Sequence, residues 1–219
     1  KKVIGTHHGD YLYPVRSKRF DNKMNAEHVF LQHGVLGTKN LENHYGKNSP
    51  SFHTDLFFVS SEREKRVVTE DMGYPEHEVR VTGLARFDTL LAKDCEVKRQ
   101  ILIIPTWRTW LQTPLQFFES EYYEQYRTLL SSERLHEFAS SHDMEIIFCL
   151  HPNMQQYSSH FEDLPITVIN QGERDVQDLM KESMLMITDY SSVAFDFSFL
   201  KRPVFYFQFD SRRFIGPKG

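Results

Sequence analysis

Short apolar runs alternate with longer polar stretches along most of this 219-residue chain. The clearest case is the apolar run 184–187, which is followed by Thr188, Asp189, Ser191 and Ser192. An apolar run of strand length followed by good N-cap residues predicts a buried strand, a sharp turn and a helix. The start of a helix presents unpaired N–H donors and a partial positive charge, so it suits a phosphate group. An ordinary capped helix that binds no ligand is the alternative interpretation.

The same pattern recurs in both halves of the chain. Strands are predicted at 28–34, 55–59, 78–82, 101–104, 145–150, 166–169 and 203–207, and helices at 62–72, 117–126, 132–142 and 175–182. Strands that alternate with helices indicate parallel sheets with right-handed crossovers. The alternation stops near residue 83 and restarts near residue 100. We therefore predict one α/β domain over residues 1–85 and a second over residues 86–219.

The composition of the chain indicates its class of protein and argues against some classes of function. Hydrophobic residues make up 40% of the chain and charged residues 26%, which is typical of a soluble globular protein. The formal net charge of −4 argues against a dedicated nucleic-acid binder. Cys95 and Cys149 are isolated in the sequence, so they fit neither a metal pattern nor a disulfide framework and indicate a reducing compartment.

The two ends of the chain indicate a fragment. The chain begins at Lys1 without a methionine and stops at Gly219 in what reads as the middle of a fold. No apolar run reaches membrane-spanning length, and no signal peptide is recognisable. We therefore expect a fragment of a longer protein, with no spanning helix of its own.

Two histidines follow predicted strands directly. His33 precedes Gly34 at the end of the first clear strand, and His151 precedes Pro152 at the end of another. In open α/β sheets ligands gather at the carboxyl ends of strands, so both side chains are candidates for chemistry. A strand-end histidine that bonds a nearby carbonyl group is the alternative interpretation of His33.

Other polar residues give weaker signals. Arg108 follows the apolar strand 101–104 and could grip a phosphate or carboxylate, or form an ordinary salt bridge. The cluster of Thr6, His7, His8 and Asp10 contains metal-ligand residue types, but its spacing matches no strong metal pattern. We interpret that cluster as a surface loop.

Five short motifs occur in a fixed order and carry a family resemblance. They are Gln32-His33-Gly34, Gly83-Leu84-Ala85-Arg86-Phe87-Asp88, Pro105-Thr106-Trp107-Arg108, Leu150-His151-Pro152 and the stretch from Thr188 to Asp196. Together, over roughly residues 28–210, the chain resembles the CDP-glycerol glycerophosphotransferase family, which comprises teichoic acid polymerases and related capsule polymerases of bacteria. It departs from the pattern at Ala85, where the family would place a proline.

The resemblance implies a fold and an activity. The implied fold is GT-B, with two Rossmann-like domains facing across a cleft, the first on the acceptor side and the second binding the CDP-polyol donor. The implied enzyme transfers a polyol phosphate, glycerol phosphate in the first place, from a CDP-linked donor to a polyol-phosphate polymer or lipid-linked acceptor and releases CMP. It is expected at the cytoplasmic face of the membrane as a peripheral protein, without a nucleic-acid partner.

The resemblance also implies residue roles. His33 is expected to take the proton of the acceptor hydroxyl, because an imidazole near its reference pKa can act as a base near pH 7. The donor pyrophosphate is expected to be bound by His151, Arg108, Ser191 and Ser192, with Arg86 as a weaker candidate. Asp189 either caps the helix or accepts hydrogen bonds from donor hydroxyls. No cofactor and no metal site is predicted, although a divalent ion would be compatible with phosphoryl transfer.

Three alternatives stay open. A GT-B glycosyltransferase would use a nucleotide sugar, a non-catalytic lobe would only bind nucleotide or polymer, and a metal-dependent hydrolase would use His7, His8 and Asp10. The sequence does not distinguish glycerol, ribitol and sugar phosphates, or priming from polymerisation. The oligomeric state also has no signal in the sequence.

Overall fold

The computed structural model describes residues 1–7, 26–36, 41–50, 52–92, 95–170 and 172–216. The chain forms two compact units, Lys1–Thr89 and Leu90–Gly219. Each unit contains one parallel sheet with helices in its connections, so the α/β class predicted from the alternation of elements is confirmed. None of the helices in the described ranges is both long and apolar enough to cross a bilayer.

The first unit is built on a four-stranded sheet in sequential order. All neighbouring strands are parallel. Aromatic and aliphatic side chains from the second and third strands, among them Phe30 and Phe57, form its buried core with Phe52 and Val68. The strands are β1 Lys2–Gly5, β2 Glu27–Phe30, β3 Leu56–Val59 and β4 Val79–Val81.

Among the described residues, two α-helices and one 3₁₀ turn lie between these strands, and a third α-helix follows β4. They are α1 Glu42–Tyr45, α2 Glu62–Glu70, the 3₁₀ turn Glu76–Glu78 and α3 Arg86–Leu91, which runs past the division between the units. The predicted helix 62–72 is confirmed to within two residues. Its N-cap is Ser61, whose hydroxyl accepts from Glu64 N, and Glu64 is itself buried. The Glu64 carboxylate accepts from Leu36 N over 2.6 Å, so this helix also holds the loop that follows β2.

Three elements of the first unit, β1, α1 and α3, were not predicted from the sequence. No strand was predicted before residue 28, yet β1 pairs in parallel with β2 along its whole length. No helix was predicted near residue 86, yet α3 occupies the stretch where the alternation appeared to stop. The strand predicted at 28–34 ends at Phe30, so His33 lies in a loop rather than in the sheet.

The second unit has a five-stranded parallel sheet in the order β7-β6-β5-β8-β9. Counted within the unit, this is the 3-2-1-4-5 order of a doubly wound sheet. The order reverses between β5 and β8, which are hydrogen-bonded neighbours. Ligands bind doubly wound sheets at the carboxyl ends of the two strands at such a reversal. The strands are β5 Gln100–Ile103, β6 Glu145–Cys149, β7 Thr167–Ile169, β8 Leu185–Thr188 and β9 Val204–Tyr206.

The helices predicted for the second unit occur in the predicted order, but one of them is divided, and the 3₁₀ helix Pro152–Phe161 and the short helix Ser211–Phe214 were not predicted. The helix predicted over 117–126 is two helices, because the chain breaks at Ser120, whose hydroxyl accepts from Tyr123 N over 3.1 Å and caps the second helix. Phe117, Tyr122 and Tyr126 from this region are buried in the core. The helices are α4 Pro114–Phe118, α5 Glu121–Leu130, α6 Glu133–Ser141, the 3₁₀ helix Pro152–Phe161, α7 Val176–Glu182, α8 Val193–Phe199 and α9 Ser211–Phe214.

Candidate functional site

The loop after β2 presents His33. Gln32 adopts a left-handed backbone with φ of 60°, which only a minority of residues other than glycine adopt. The buried Gln32 side chain stabilises this backbone conformation, because its Nε2 donates to the carbonyl oxygen of Phe58 over 3.0 Å. This anchor ties the loop to β3, and the next residue, His33, is exposed.

The imidazole of His33 is oriented by the residues that follow β1. Its Nδ1 lies 3.0 Å from the carbonyl oxygen of Thr6. The ring of His7 stacks on the ring of His33, with centroids 4.8 Å apart and planes 13° apart. A carbonyl oxygen only accepts, so Nδ1 carries the proton and the lone pair of the neutral ring lies on Nε2. Thr6 and His7, interpreted from the sequence as part of a surface loop, therefore belong to the surroundings of His33.

Arg86 at the start of α3 contacts the same loop. Its Nη1 donates to the backbone carbonyl oxygen of His33. The two motifs 32–34 and 83–88, which are some fifty residues apart in the sequence, therefore meet at one place in the first unit. Binding of pyrophosphate by Arg86 stays a prediction.

The electrostatic surroundings favour a neutral His33. Partial burial lowers its pKa below the ordinary value of 6.5, and the neighbouring His7 and Arg86 lower it further. The hydrogen bond to Thr6 acts in the opposite direction and does not reverse the shift. A neutral imidazole near pH 7 can accept a proton, which is what a general base must do.

A cavity of about 470 Å³ opens beside this histidine. Its wall includes His33 and Arg86, and Asp88 adds a carboxylate. A cavity of this size matches the smaller ligand sites of proteins. Residues that line it include Thr6, Gln32, His33, Leu84, Arg86 and Asp88.

In the second unit, Asp189 joins the carboxyl ends of β5 and β8. Its Oδ1 accepts from the backbone N–H of Thr106 over 2.8 Å and from that of Tyr190 over 2.6 Å. Its Oδ2 accepts from the hydroxyl of Tyr126 over 3.0 Å. The carboxylate is fully buried, so it acts as a brace at the point where the strand order reverses and not as a cap for α8. Hydrogen bonding to donor hydroxyls, the other role predicted for it, remains a prediction.

Arg108 lies against the same carboxylate. Its Nη2 is 2.8 Å from Asp189 Oδ2, its Nε donates to Asp210 Oδ2 over 2.7 Å, and its Nη1 donates to the carbonyl oxygen of Thr106 over 2.6 Å. Its side chain is fully buried. Burial alone would lower the pKa of Arg108, but the hydrogen bond to Asp210 and the two carboxylate charges raise it above the ordinary value. The guanidinium charge is thus already matched inside the protein.

Aromatic rings enclose this ion pair. The guanidinium carbon of Arg108 lies 4.9 to 5.7 Å from the centroids of four rings, which is within cation–π range. The rings belong to Tyr122, Tyr190, Phe209 and Phe214. Asp210 and the tyrosines were not predicted from the sequence, because nothing in their spacing links them to Arg108. Contact of Arg108 with a pyrophosphate stays a prediction.

His151 begins the 3₁₀ helix that follows β6. Its Nδ1 accepts from Asn153 N–H over 3.2 Å, so the neutral ring carries its proton on Nε2. Its ring stacks on Trp107, with centroids 5.9 Å apart, and this contact brings the end of β6 beside the end of β5. His151 is therefore a hydrogen-bond donor at Nε2, the reverse of His33.

Ser191 and Ser192 lie between β8 and α8. Both are half-buried. Val193 N lies 3.5 Å from Ser191 Oγ, and the side chain of Ser192 makes no capping hydrogen bond. Both hydroxyls thus lie at the carboxyl edge of the sheet, as do Arg108, Asp189 and His151. His33 and Arg86 belong to the first unit.

Metal-ligand residue types do not gather in the described ranges. Within them, no three His, Cys, Asp or Glu side chains are arranged to hold a metal ion. His8 and Asp10, from the cluster noted in the sequence, lie outside the described residues.

Several curated proteins share sequence with this chain, two of which follow. The minor teichoic acid biosynthesis protein GgaB of Bacillus subtilis strain 168 is 35% identical over 226 residues, which covers 95% of this chain and 24% of GgaB. The teichoic acid ribitol-phosphate polymerase TarK of Staphylococcus aureus strain NCTC 8325 / PS 47 is 26% identical over 178 residues, covering 72% of this chain and 32% of TarK. The chain thus spans about a quarter to a third of the length of these relatives.

A solved structure supports the fold. A structure of the wall teichoic acid polymerase TagF matches 100% of this chain and 56% of its own with a TM-score of 0.67 and 19% sequence identity. The family model for CDP-Glycerol:Poly(glycerophosphate) glycerophosphotransferase matches residues 11–219. The resemblance carried by the five motifs is thus confirmed, and the chain belongs to the CDP-Glycerol:Poly(glycerophosphate) glycerophosphotransferase family.

Proposed function

We propose that this protein transfers a polyol phosphate, glycerol phosphate in the first place, from a CDP-activated donor to a hydroxyl of a growing teichoic acid or capsule polymer. CMP is the other product. The observation that carries the proposal is the orientation of His33, whose Nδ1 proton is committed to Thr6 so that Nε2 can act as a base. Membership of the glycerophosphotransferase family supplies the substrate class.

The reaction needs a proton acceptor because a hydroxyl is a poor nucleophile near pH 7. The hydroxyl oxygen of the acceptor attacks the phosphorus that carries the polyol, and its proton passes to His33 Nε2. The new oxygen–phosphorus bond forms as the phosphoanhydride bond breaks, and the electron pair of that bond leaves on CMP. The lowered pKa of His33 keeps its imidazole neutral, and therefore able to take the proton, at pH 7.

The second unit is proposed to bind the donor at the carboxyl ends of β5 and β8. A doubly wound sheet binds nucleotides where its strand order reverses. There His151 offers an Nε2–H donor, and Ser191 and Ser192 offer hydroxyl groups to the negative oxygens of the diphosphate. Such fixed donors stabilise the charge that develops on the leaving group.

Arg108 and Asp189 have a different role in this proposal. Both side chains are buried and saturated with internal hydrogen bonds. For either one to contact the pyrophosphate directly, it would have to leave a charged partner without compensation, which costs several kcal/mol, on the order of 3–5. They hold the ends of β5 and β8 in place, and the donor contacts are left to the half-buried His151, Ser191 and Ser192.

The acceptor and the place of reaction follow from the same chemistry. A CDP-linked donor carries charges that do not pass through a bilayer unaided, so the reaction is placed at the cytoplasmic face. A polymer anchored to a lipid would bring the enzyme to the membrane surface as a peripheral protein. The wall teichoic acid polymerase TagF has been solved after a soak with CDPG, which supports CDP-glycerol as the first donor to test.

A donor-specificity assay tests the proposal. The protein is incubated with a polyol-phosphate acceptor and, in turn, with CDP-glycerol, CDP-ribitol and UDP-sugars, and nucleotide release is followed. Release of CMP that depends on the acceptor supports the proposal and identifies the polyol. Release of UDP from a UDP-sugar would instead make the protein a glycosyltransferase, and tight binding of CDP-glycerol without any turnover would make it a binding module.

A further inference from the structure

Arg86 lies against the proposed base. Its Nη1 donates to the carbonyl oxygen of His33, and its side chain lines the same cavity. The imidazole of that histidine is held separately, by the Thr6 carbonyl at Nδ1 and by the His7 ring on one face. The backbone and the ring of the base are therefore fixed by different elements of the first unit.

We propose that Arg86 is a positioning residue that acts on the transfer through His33 by fixing the backbone from which this imidazole projects. The inference rests on the proposed function, because it needs His33 to be the base. It assigns Arg86 a role that rests on a contact present in the structure, its hydrogen bond to the carbonyl oxygen of His33.

The geometry explains why an arginine suits this place. Its planar guanidinium presents several donors in a fixed fork, so one N–H can hold a carbonyl oxygen while the charge stays near the ring. Lysine would keep the charge but lose the directed fork. Arg86 begins α3, and the helix supplies a rigid base for the contact.

The charge of Arg86 acts in the same direction as its geometry. The groups that face the His33 ring are His7 after β1, Tyr45 on α1 with ring centroids 6.1 Å apart, and Arg86 and Asp88 on α3 in the shared cavity wall. Arg86 and His7 each lower the pKa of His33. Loss of the guanidinium should therefore raise that pKa and shift the onset of activity to higher pH.

The test compares three variants of the whole protein. R86Q removes the charge, R86K keeps the charge without the fork, and R80Q is the matched control. Arg80 in β4 is also an arginine of the first unit that donates to a backbone carbonyl, but it is exposed and does not line the cavity. The measurements are the pH dependence of kcat/KM, the KM for the CDP-polyol donor, and the titration of the His33 imidazole by NMR, assigned by its loss in H33N.

The expected results are specific. In R86Q the acid limb of kcat/KM and the NMR titration both move to higher pH by about half a unit, so at pH values well below the pKa of His33 activity falls about threefold more than at pH 8. R86K keeps the titration within about 0.2 pH unit of the unmutated protein but lowers kcat. R80Q leaves both quantities unchanged, and donor KM changes less than about twofold in all three variants.

Two outcomes overturn the inference. An unchanged His33 titration in R86Q shows that Arg86 does not act through this histidine. A donor KM that rises about tenfold with an unmoved pH profile shows that Arg86 grips the diphosphate instead. If the unmutated protein releases no CMP from any CDP-polyol, the proposed function fails, while the NMR titration still decides whether Arg86 and His33 are coupled.

Discussion

The Nδ1 of His33 donates a hydrogen bond to the carbonyl oxygen of Thr6 over 3.0 Å. In His151 the corresponding nitrogen accepts from Asn153 N–H. The first histidine therefore keeps a lone pair on Nε2, whereas the second carries a proton there. Two histidines that look alike in the sequence, each after a predicted strand, differ in the chemistry their outer nitrogen can perform.

Replacement of His33 by asparagine should abolish most of the transfer. The asparagine amide can still donate to Thr6, but it has no group in place of Nε2 that accepts a proton, so kcat is expected to fall by about 10²–10⁴. The measurement is the rate of CMP release at saturating donor. His142→Asn, a change at an exposed histidine of the second unit, should leave the rate unchanged. A kcat within threefold of the original would contradict a base at His33.

The pH profile should follow the lowered pKa of His33. The imidazole must be neutral to accept a proton, and it is protonated below its pKa. Because that pKa lies below 6.5, kcat/KM should fall to half its maximum at a pH below 6.5. A profile of kcat/KM between pH 5 and pH 8 checks this. A half-maximal value above pH 6.5 would mean that another group controls the rate.

Replacement of Arg108 by methionine should destabilise the second unit strongly. The change removes a buried cation and leaves Asp189 and Asp210 without its charge, at a cost of about 3–5 kcal/mol in the free energy of unfolding. Chemical denaturation followed by tryptophan fluorescence reports on this unit, because both tryptophans of the chain, Trp107 and Trp110, lie in it.

The matched control is Arg127→Met. Arg127 pairs with Asp163 at the surface of the same unit, and exposed pairs contribute about 0–1 kcal/mol. The midpoint of the fluorescence transition should therefore move far less for Arg127→Met than for Arg108→Met. Equal shifts would show that the buried pair contributes no more than the exposed one.

The two serines at the start of α8 should matter for donor binding. The double change of Ser191 and Ser192 to alanine removes two hydroxyl donors, and the KM for the CDP-polyol is expected to rise about tenfold. Ser198→Ala, at an exposed position on the same helix, should leave the KM unchanged. The KM is measured by steady-state kinetics at varied concentrations of the CDP-polyol donor. A KM that changes less than twofold in the double variant would show that neither serine binds the donor.

The two cysteines should differ in reactivity. Burial raises the pKa of the Cys149 thiol to about 11, so at pH 8 its thiolate fraction is about a hundredfold below that of an ordinary thiol. Cys95 is only half-buried. Titration of the native protein with a thiol reagent should therefore label Cys95 promptly and Cys149 only after unfolding. Prompt labelling of both would contradict the burial of Cys149.

The sheets were predictable because their strands are short apolar runs bounded by polar residues. Ile101, Leu102 and Ile103 are fully buried in β5, and such a run admits little other interpretation. β1 was missed because Lys2–Gly5 contains one lysine, one glycine and only two aliphatic residues, which is a weak local signal. Its identity as a strand depends on pairing with β2, some 25 residues away, which no local pattern reveals.

The candidate site was predictable only in part. The positions of His33, His151 and Ser191 beside strand ends follow from the alternation of strands and helices. The partners of Arg108 do not, because Asp189 and Asp210 are 81 and 102 residues distant and meet it only in the folded sheet. The burial of Arg108 depends on tertiary contacts, and the residues near it in the sequence do not predict it.

The short helix α9 has a consequence for any shortened version of this protein. Phe214 stacks on Tyr190, with ring centroids 4.0 Å apart, and Asp210 supplies one of the two carboxylates that neutralise Arg108. A chain cut before residue 210 would lose both, and the buried Arg108 would keep only one of its two carboxylate partners, Asp189. Expression of the second unit alone should therefore retain the sequence through Phe214.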